Sequence, residues 1–318
     1  MTTRSGTRIL VLGAGGIGGY FGGRLAAGGA DVTFLVRSAR AAQLRQRGLV
    51  IHSAIGDLRL DVRTVGCVSG FYDLILLACK APDLDRAIEA ILPAAGPHTA
   101  VVPLLNGLRH LPLLDERLPQ AQILGGLCHI GATLEDNGDI RHLNDLQHLA
   151  LGSRRTEQKA TSEKAHAALS GGGLAPALSQ DIMQEMWEKF VFLTSYAGLT
   201  CLLRAPIGAI ASTGEGKAIA NEMLAECAMI ATASGFPPRS EFMASSLRTL
   251  TDENSGGTSS MLRDVLRGNQ SEQEHVLGDM FNRAVSMEIN APILRLARTQ
   301  MQAYEIVRSG SHHARGKR

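Results

Sequence analysis

A glycine-rich stretch near the beginning of the chain, RILVLGAGGIGG, most constrains what this sequence can fold into. Four apolar residues, Ile9 to Leu12, lead directly into the pattern G-x-G-x-x-G, formed by Gly13, Ala14, Gly15, Gly16, Ile17 and Gly18. A strand that ends in such a loop and continues as a helix can bind the pyrophosphate of a dinucleotide, because free N–H groups at the helix start face the phosphates. We expect Gly13 to allow the tight turn, Gly15 to let the phosphates approach the backbone and Gly18 to pack the helix on the strand.

The residue that follows the second strand indicates which dinucleotide is bound. A helix over about Gly16–Ala27 and a strand over Asp31–Val36 complete a βαβ unit, and the next residue is Arg37. An acid at this position binds the 2′-hydroxyl of NAD, whereas an arginine accommodates the 2′-phosphate of NADP. Asp31 lies at the opposite end of the strand, so the sequence predicts NADP(H). The alternative is that Arg37 and Arg40 are solvated residues at a helix start.

The composition favours small-molecule partners. The chain has 318 residues, enough for two domains, and its net charge of +2 with 19% charged residues creates no strong field for nucleic acid or an anionic membrane. The five cysteines are widely spaced without a C-x-x-C pair, and the histidines lack a metal-ligand spacing such as H-E-x-x-H. No stretch is apolar for long enough to cross a bilayer or to form a secretory signal. We therefore expect a cytoplasmic protein without metal, membrane or nucleic-acid partners.

Two polar residues follow buried strands of the first half. Lys80 comes after the apolar run Tyr72–Cys79, and Asn106 comes after the run Thr99–Leu105. The carboxyl ends of the strands in an open α/β sheet face the ligand crevice. Lys80 is therefore a candidate cofactor contact, and the Asn106 amide is a candidate to face the nicotinamide. The alternatives are an ordinary surface lysine and a simple Asn-Gly turn.

The strand signal ends near residue 180 and helical periodicity begins, which predicts a domain boundary there. Residues 1–180 are expected to form a dinucleotide-binding α/β domain with one sheet of six or more strands, including antiparallel edge strands near Ile140 and Leu149. Residues 181–308 are expected to be all-helical. The small, polar and basic ending, residues 309–318, predicts a disordered tail.

Lys189 is the residue of greatest chemical interest in the helical half. It lies within the first long helix, Asp181 to about Leu203, and the residues four and eight positions further on, Leu193 and Ala197, share its face. Its ammonium is therefore expected where the helix passes from solvent into the core, and a partly desolvated lysine can act as an acid near neutral pH. The alternative is an ammonium that reaches water over Trp187.

Two further segments offer polar groups. Thr258–Met261 opens a short helix, and its hydroxyls either cap that helix or face a ligand. Ser271–Glu274 fits the capping box S-x-x-E, which gives Glu274 a structural role and leaves Glu272 in the first turn of the next helix.

Together these motifs resemble the ketopantoate reductase family. The segments that carry the resemblance are the glycine-rich loop, Arg37, Cys79–Ala81, Leu105–Gly107, Trp187–Lys189, and Thr258–Met261 with Glu272. The resemblance implies an α/β Rossmann-type dinucleotide-binding domain followed by an all-α domain like the C-terminal domain of 6-phosphogluconate dehydrogenase. It also implies that Lys189 protonates a ketone oxygen, that Lys80, Asn106, Ala132 and Glu272 line NADP(H), and that Asn106, Lys189 and Ser260 contact the substrate.

The implied activity is the NADPH-dependent reduction of a 2-oxo acid, either 2-dehydropantoate or, in a divergent relative, another 2-oxo acid. The family places asparagines four and eight residues beyond the lysine, where this chain has Leu193 and Ala197. Losing these amides leaves buried polar groups of a substrate without partners, at about 1–3 kcal/mol each, which favours a more apolar substrate. A non-catalytic NADP(H)-binding sensor is the alternative from another class, and a short-chain dehydrogenase is disfavoured because no Tyr-x-x-x-Lys occurs. The number of subunits stays open, with a homodimer among the alternatives.

Overall fold

The structure, a computed structural model, describes residues 6–170 and 174–315, with the backbone alone from residue 311 onward. The chain divides into two compact units. The α/β unit comprises Met1–Leu105 and His110–Met183, and the helical unit comprises Asn106–Arg109 and Gln184–Arg318. The division at Met183 lies close to the boundary that the sequence predicts near residue 180. The sequence gives no sign that Asn106–Arg109 clusters with the helical unit.

The strands of the α/β unit have the following bounds: β1 (Arg8–Leu12), β2 (Asp31–Leu35), β3 (Leu49–His52), β4 (Leu58–Leu60), β5 (Arg63–Val65), β6 (Leu74–Leu77), β7 (Ala100–Pro103), β8 (Gln122–Ile123), β9 (Gly125–Leu134), β10 (Ile140–Gly152) and β11 (Ala177–Leu178). Its helices are α1 (Gly16–Ala27), α2 (Ser38–Arg47), α3 (Leu84–Ile91), α4 (His110–Arg117) and α5 (Lys159–Leu169). The bounds of α1 agree with the prediction.

Six strands form a parallel sheet in the order β5-β2-β1-β6-β7-β8. The central strands β1, β6 and β7 are runs of apolar residues that are almost entirely buried, as expected when helices cover both faces of a parallel sheet. The chain moves from β1 to β2 on one side and later returns to place β6 on the other side. The topological switch point therefore lies at β1, where open α/β sheets bind ligands at the carboxyl ends of their strands.

The prediction of a single sheet is wrong, because β9, β10, β3, β4 and β11 form a second sheet. β9 and β10 span 10 and 13 residues and pair antiparallel with each other along most of their length. The strands of the parallel sheet have two to five residues and offer no edge of matching length. β10 pairs instead with β3 and β11, in parallel.

The second half is all-helical, as predicted. Its helices are α6 (Ile182–Leu203), α7 (Ile207–Ala211), α8 (Gly216–Ala233), α9 (Ser240–Leu250), α10 (Ser260–Leu266), α11 (Asp279–Ser286) and α12 (Pro292–Arg315). A π-helical turn, Glu274–Gly278, directly precedes α11 and was not predicted. Across the described ranges, every helix is too short or too polar to span a membrane.

The last helix continues further than the sequence predicts. α12 runs through Arg315, so residues 309–315 are helical, and the prediction of disorder is wrong for this part. The segment contains no proline, and a single glycine, Gly310, costs only about 1 kcal/mol in a helix. The Ser309 hydroxyl also donates to the carbonyl oxygen of Glu305, at 2.8 Å. Residues 316–318 of the predicted tail lie outside the described residues.

Candidate active site

The glycine-rich loop joins β1 to α1 and has the local geometry that the sequence predicts. Gly13 has φ of 92°, a value that favours glycine, and a Cβ atom on Gly18 would overlap the carbonyl oxygen of Gly13. No atom of the described residues lies within 4 Å of the place where a Cβ atom on Gly15 would be. The space beside Gly15, at the N-terminus of α1, is thus open, as a pyrophosphate site requires.

Ala132 lies against the same loop. A Cβ atom on Gly16 would be only 2.7 Å from the carbonyl oxygen of Ala132 and 3.1 Å from the backbone nitrogen of Thr133. The backbone of β9 therefore packs directly on the start of α1. This contact places Ala132 beside the presumptive phosphate site, where the resemblance to the family puts it.

Arg40 holds the glycine-rich loop in place through hydrogen bonds, a role that the sequence does not reveal. Its Nε donates to the carbonyl oxygen of Ala14 at 3.0 Å, and its Nη1 donates to the carbonyl oxygen of Gly138 at 2.7 Å. Its Nη2 is buried and has no hydrogen-bond partner within the described part of the chain. Burial lowers the pKa of Arg40, and the nearby Asp139 carboxylate opposes this effect. The side chain ties the glycine-rich loop to the turn before β10.

Arg37 and Lys80 flank the loop at the carboxyl ends of β2 and β6, the two neighbours of β1. Both side chains are exposed. The Arg37 guanidinium donates to Oδ1 of Asp83 at 2.5 Å. An exposed ion pair of this kind contributes at most about 1 kcal/mol, so an incoming phosphate can displace the carboxylate. Arg37 and Lys80 therefore lie beside the glycine-rich loop at the carboxyl edge of the parallel sheet.

In the helical unit, Lys189 lies on the open face of a buried helix. Between residues 185 and 201 of α6, every residue is buried except five, which are half-buried. These five, which we call the Lys189 stripe, are Glu185, Lys189, Phe192, Leu193 and Tyr196. Their spacing of three and four residues places them on one side of the helix. Leu193 shares the face of Lys189 as predicted, whereas Ala197 is buried beside it.

The residues that flank Lys189 are anchored in the core. The Glu188 carboxylate accepts hydrogen bonds from the backbone N–H of Arg239, at 2.9 Å, and from the Arg239 guanidinium. Burial alone would raise the pKa of Glu188, but these hydrogen bonds hold it below its ordinary value. Trp187 stacks on Phe236 with ring centroids 5.5 Å apart, and the Arg283 guanidinium lies 5.1 Å from the Trp187 centroid. These contacts fix the backbone of α6 at Lys189.

The Asn106–Gly107 turn packs on two other site segments of the helical unit. Gly107 has φ of 75°, and a Cβ atom there would lie 2.7 Å from the carbonyl oxygen of His275 and 3.6 Å from Cε2 of Phe190. Phe190 follows Lys189 directly, and His275 belongs to the π-helical turn. The close approach at Gly107 therefore brings the Asn106 and Lys189 segments of the chain together.

Glu272 lies two residues before the start of the π-helical turn and is half-buried. Its carbonyl oxygen accepts the N–H of His275 at 3.0 Å. The predicted capping box is wrong: the Ser271 hydroxyl donates to Oε1 of Glu305, at 2.7 Å, instead of capping the helix. Glu274 still has a structural role, because its carboxylate accepts a hydrogen bond from Gln302, at 3.1 Å.

Ser259 and Ser260 have different roles: Ser259 caps a helix, whereas Ser260 is a candidate substrate contact. Oγ of Ser259 accepts the N–H of Leu262 at 3.0 Å and caps α10, whereas Ser260 is exposed at the first helical position. A Cβ atom on Gly257 would lie 2.5 Å from the Tyr196 hydroxyl oxygen, so the segment before Ser260 packs on the end of the Lys189 stripe.

His275 is the most strongly perturbed group of this region. Its ring is buried in the π-helical turn, and burial, together with the positive charge of Arg109, lowers the pKa of His275 to about 4. The imidazole is therefore neutral at physiological pH. Over the described ranges, no group of three or more His, Cys, Asp or Glu side chains is arranged to hold a metal ion.

A parallel sheet with an open glycine-rich loop at its switch point, followed by a helical unit with a half-buried lysine, defines a dinucleotide-dependent oxidoreductase. A comparison of the sequence with models of known protein families identifies the family. Residues 9–155 match the model described as ketopantoate reductase PanE/ApbA, and residues 181–305 match the model of its C-terminal domain. The chain belongs to the ketopantoate reductase family, whose members act on small 2-oxo acids.

Individual relatives are similar over almost their whole length. The chain is 34% identical to the uncharacterized oxidoreductase YkpB of Bacillus subtilis over 94% of this chain and 99% of that protein. It is 27% identical to a 2-dehydropantoate 2-reductase of Halobacterium salinarum, over 91% and 95% of the two chains. A solved structure of D-mandelate dehydrogenase with NADH and anilino(oxo)acetate shares the fold, with a TM-score of 0.86, 21% identity and coverage of 95% and 100%.

The two neighbouring glycines of the loop allow a matched test. Gly16→Ala should destabilise the unliganded protein by about 1–3 kcal/mol, because the new methyl group meets the Ala132 backbone. Gly15→Ala should leave the melting temperature within about a degree, because its methyl group enters open space, but should weaken dinucleotide binding by about tenfold or more. Thermal unfolding and fluorescence titration measure both effects, and equal melting temperatures for the two variants would contradict the proposed backbone contact.

His275 should make the stability fall in mildly acidic solution. The unfolded chain takes up a proton near pH 6.5, whereas the folded chain does so only near pH 4, so the unfolded state binds more protons between these values. Because of this difference, the free energy of unfolding should be about 3 kcal/mol lower at pH 4 than at neutral pH. The His275→Gln variant has no imidazole to protonate at this position. Its melting temperature should therefore fall less steeply as the pH is lowered. Parallel curves for the two proteins would show that the imidazole is not perturbed.

Proposed function

We propose that this protein reduces a 2-oxo acid with NADPH and that Lys189 donates the proton to the keto oxygen. The observation that carries the proposal is the position of Lys189, the only cationic side chain of the stripe, on the one open face of α6 between residues 185 and 201. Its backbone is fixed by the buried contacts of Glu188 and Trp187. A positive charge held at such a position stabilises the oxygen of a carbonyl group as negative charge develops on it.

The proposed cofactor site lies at the carboxyl edge of the parallel sheet. In the α/β unit, the residues that would hold NADP(H) are Gly13, Ala14, Gly15, Gly16, Ile17, Gly18, Arg37, Lys80 and Ala132. In the helical unit, Asn106 and Glu272 are the residues that the resemblance to the family predicts to contact NADP(H). Arg37 lies two residues after the end of β2, which favours the 2′-phosphate of NADP over the free hydroxyl of NAD. The D-mandelate dehydrogenase structure contains NADH, so affinity for both dinucleotides should be compared. We expect NADPH to bind more tightly and Arg37 to release Asp83 when it does.

In the proposed mechanism, the bound nicotinamide supplies the hydride for the carbonyl carbon. The Lys189 ammonium donates a hydrogen bond to the carbonyl oxygen and then transfers its proton to that oxygen, which leaves a neutral amine. Because Lys189 is half-buried, its amine can regain a proton from water after product release. Asn106 and Ser260 orient the substrate, the first from a turn fixed on His275 and the second from the exposed start of α10.

The groups around the lysine favour a more apolar substrate than 2-dehydropantoate. Leu193 takes the place of an amide on the stripe, and Thr194, Ser195 and Thr200 do not replace that amide, because all three are fully buried. Ser195 donates to the carbonyl oxygen of Val191, at 2.9 Å, on its own helix. We also infer a cytoplasmic location, because the five cysteines are widely spaced in the sequence without a C-x-x-C pair, as expected in a reducing compartment.

Replacement of Lys189 tests the proposal. Lys189→Ala should lower kcat for 2-oxo acid reduction by about 10²–10⁴-fold, because the proton donor is lost. The affinity for NADPH, measured through the fluorescence of the single tryptophan, Trp187, should change little. Lys164→Ala, which removes an exposed lysine of α5, is the matched control and should keep full activity.

The outcomes separate the two functions considered from the sequence. Turnover that survives Lys189→Ala would contradict the role of proton donor. Tight NADPH binding without turnover of any 2-oxo acid would contradict the reductase and favour the non-catalytic sensor.

A further inference from the structure

We propose that the substrate carries an aryl group next to its 2-oxo acid group and that Phe192, Leu193 and Tyr196 form the wall that binds this group. The inference rests on the proposed function, because it takes Lys189 as the site of the keto oxygen. It assigns the remaining half-buried side chains of the helix face to substrate selection.

The wall begins directly beside Lys189. Phe192, Leu193 and Tyr196 follow Lys189 by three, four and seven residues, so the stripe extends about 10 Å along the helix from the ammonium. All three side chains are half-buried, while the residues around them on α6 are buried. These half-buried side chains beside a candidate proton donor are where the side chain of a 2-oxo acid would lie once its keto oxygen contacts Lys189.

The shape of the wall favours a flat group. The rings of Phe192 and Tyr196 are stacked, with centroids 5.5 Å apart and planes inclined by 23°. Another ring can pack on two half-buried rings of this kind in the offset-stacked or edge-to-face arrangements that aromatic pairs prefer. The Tyr196 hydroxyl is held beside Gly257, so this end of the wall is fixed by the segment that leads to Ser260.

The chemistry of the wall disfavours a branched, hydroxylated substrate. Leu193 offers only methyl and methylene groups where the family pattern has an amide, and the neighbouring Thr194 and Thr200 hydroxyls are fully buried. A substrate hydroxyl placed against Leu193 would lose its hydrogen bonds to water without finding a partner on that side chain. An aryl group has no such hydrogen bonds to lose, and it buries apolar surface against the rings of Phe192 and Tyr196. The polar groups nearby, on Lys189 and Ser260, remain for the keto oxygen and the carboxylate.

The test compares three substrates with the full-length protein and NADPH: phenylglyoxylate, 2-dehydropantoate and pyruvate. The unmodified protein should reduce phenylglyoxylate with a kcat/KM at least tenfold higher than that for 2-dehydropantoate. Leu193→Asn should lower this ratio by about 10-fold to 100-fold, because it restores an amide beside Lys189 and removes apolar surface. Phe192→Ala should raise KM for phenylglyoxylate more than it lowers kcat, because it removes half of the stacked pair.

Leu203→Asn is the matched control, because Leu203 is exposed near the end of the same helix and lies outside the stripe. It should leave the ratio unchanged, and melting temperatures verify that all variants fold. Turnover of pyruvate or 2-dehydropantoate without a preference for phenylglyoxylate, and with a ratio insensitive to Leu193→Asn, would overturn the aryl substrate and leave the reductase intact. Absence of turnover with all three substrates would overturn both.

Discussion

The burial of α6 is the constraint on which the candidate site of the helical unit depends. A helix that is buried on every side except one stripe cannot rotate or slide without exposing its core residues, so the five stripe residues have fixed positions. The ion pair of Glu188 with Arg239 and the stacking of Trp187 on Phe236 hold the segment just where the lysine emerges. A proton donor needs this kind of rigid support, because its reactivity depends on its distance from the carbonyl oxygen.

Two close approaches of the backbone organise the remaining residues. In the α/β unit, β9 lies on Gly16 and brings Ala132 to the phosphate loop; in the helical unit, His275 lies on Gly107 and brings Asn106 to the lysine segment. Neither contact leaves room for a side chain at the glycine. Gly16, at a variable position of the nucleotide-binding motif, and Gly107, outside the motif, can therefore be as important for the site as the residues that would touch the ligands.

Features with a local cause were predictable from the sequence. The bounds of α1 and the tight turn at Gly13 follow from the glycine pattern, and the course of α6 follows from its periodicity. The second sheet depends on pairing between distant segments, and neither this sheet nor the π-helical turn was predicted. The same holds for Arg40, whose partner Gly138 lies 98 residues away. The sequence spacing already places Phe192 and Tyr196, three and seven residues after Lys189, on the same helix face. Their selection as candidate substrate contacts required the knowledge that the rest of the helix is buried.

A crystal structure of the protein with NADP⁺ and anilino(oxo)acetate, an aryl analogue of a 2-oxo acid, tests the central claim most directly. The account predicts that Nζ of Lys189 lies about 3 Å from the oxo oxygen, with the aryl ring against Phe192 and Tyr196. A lysine that points away from the ligand, or an aryl ring bound outside the stripe, would contradict it.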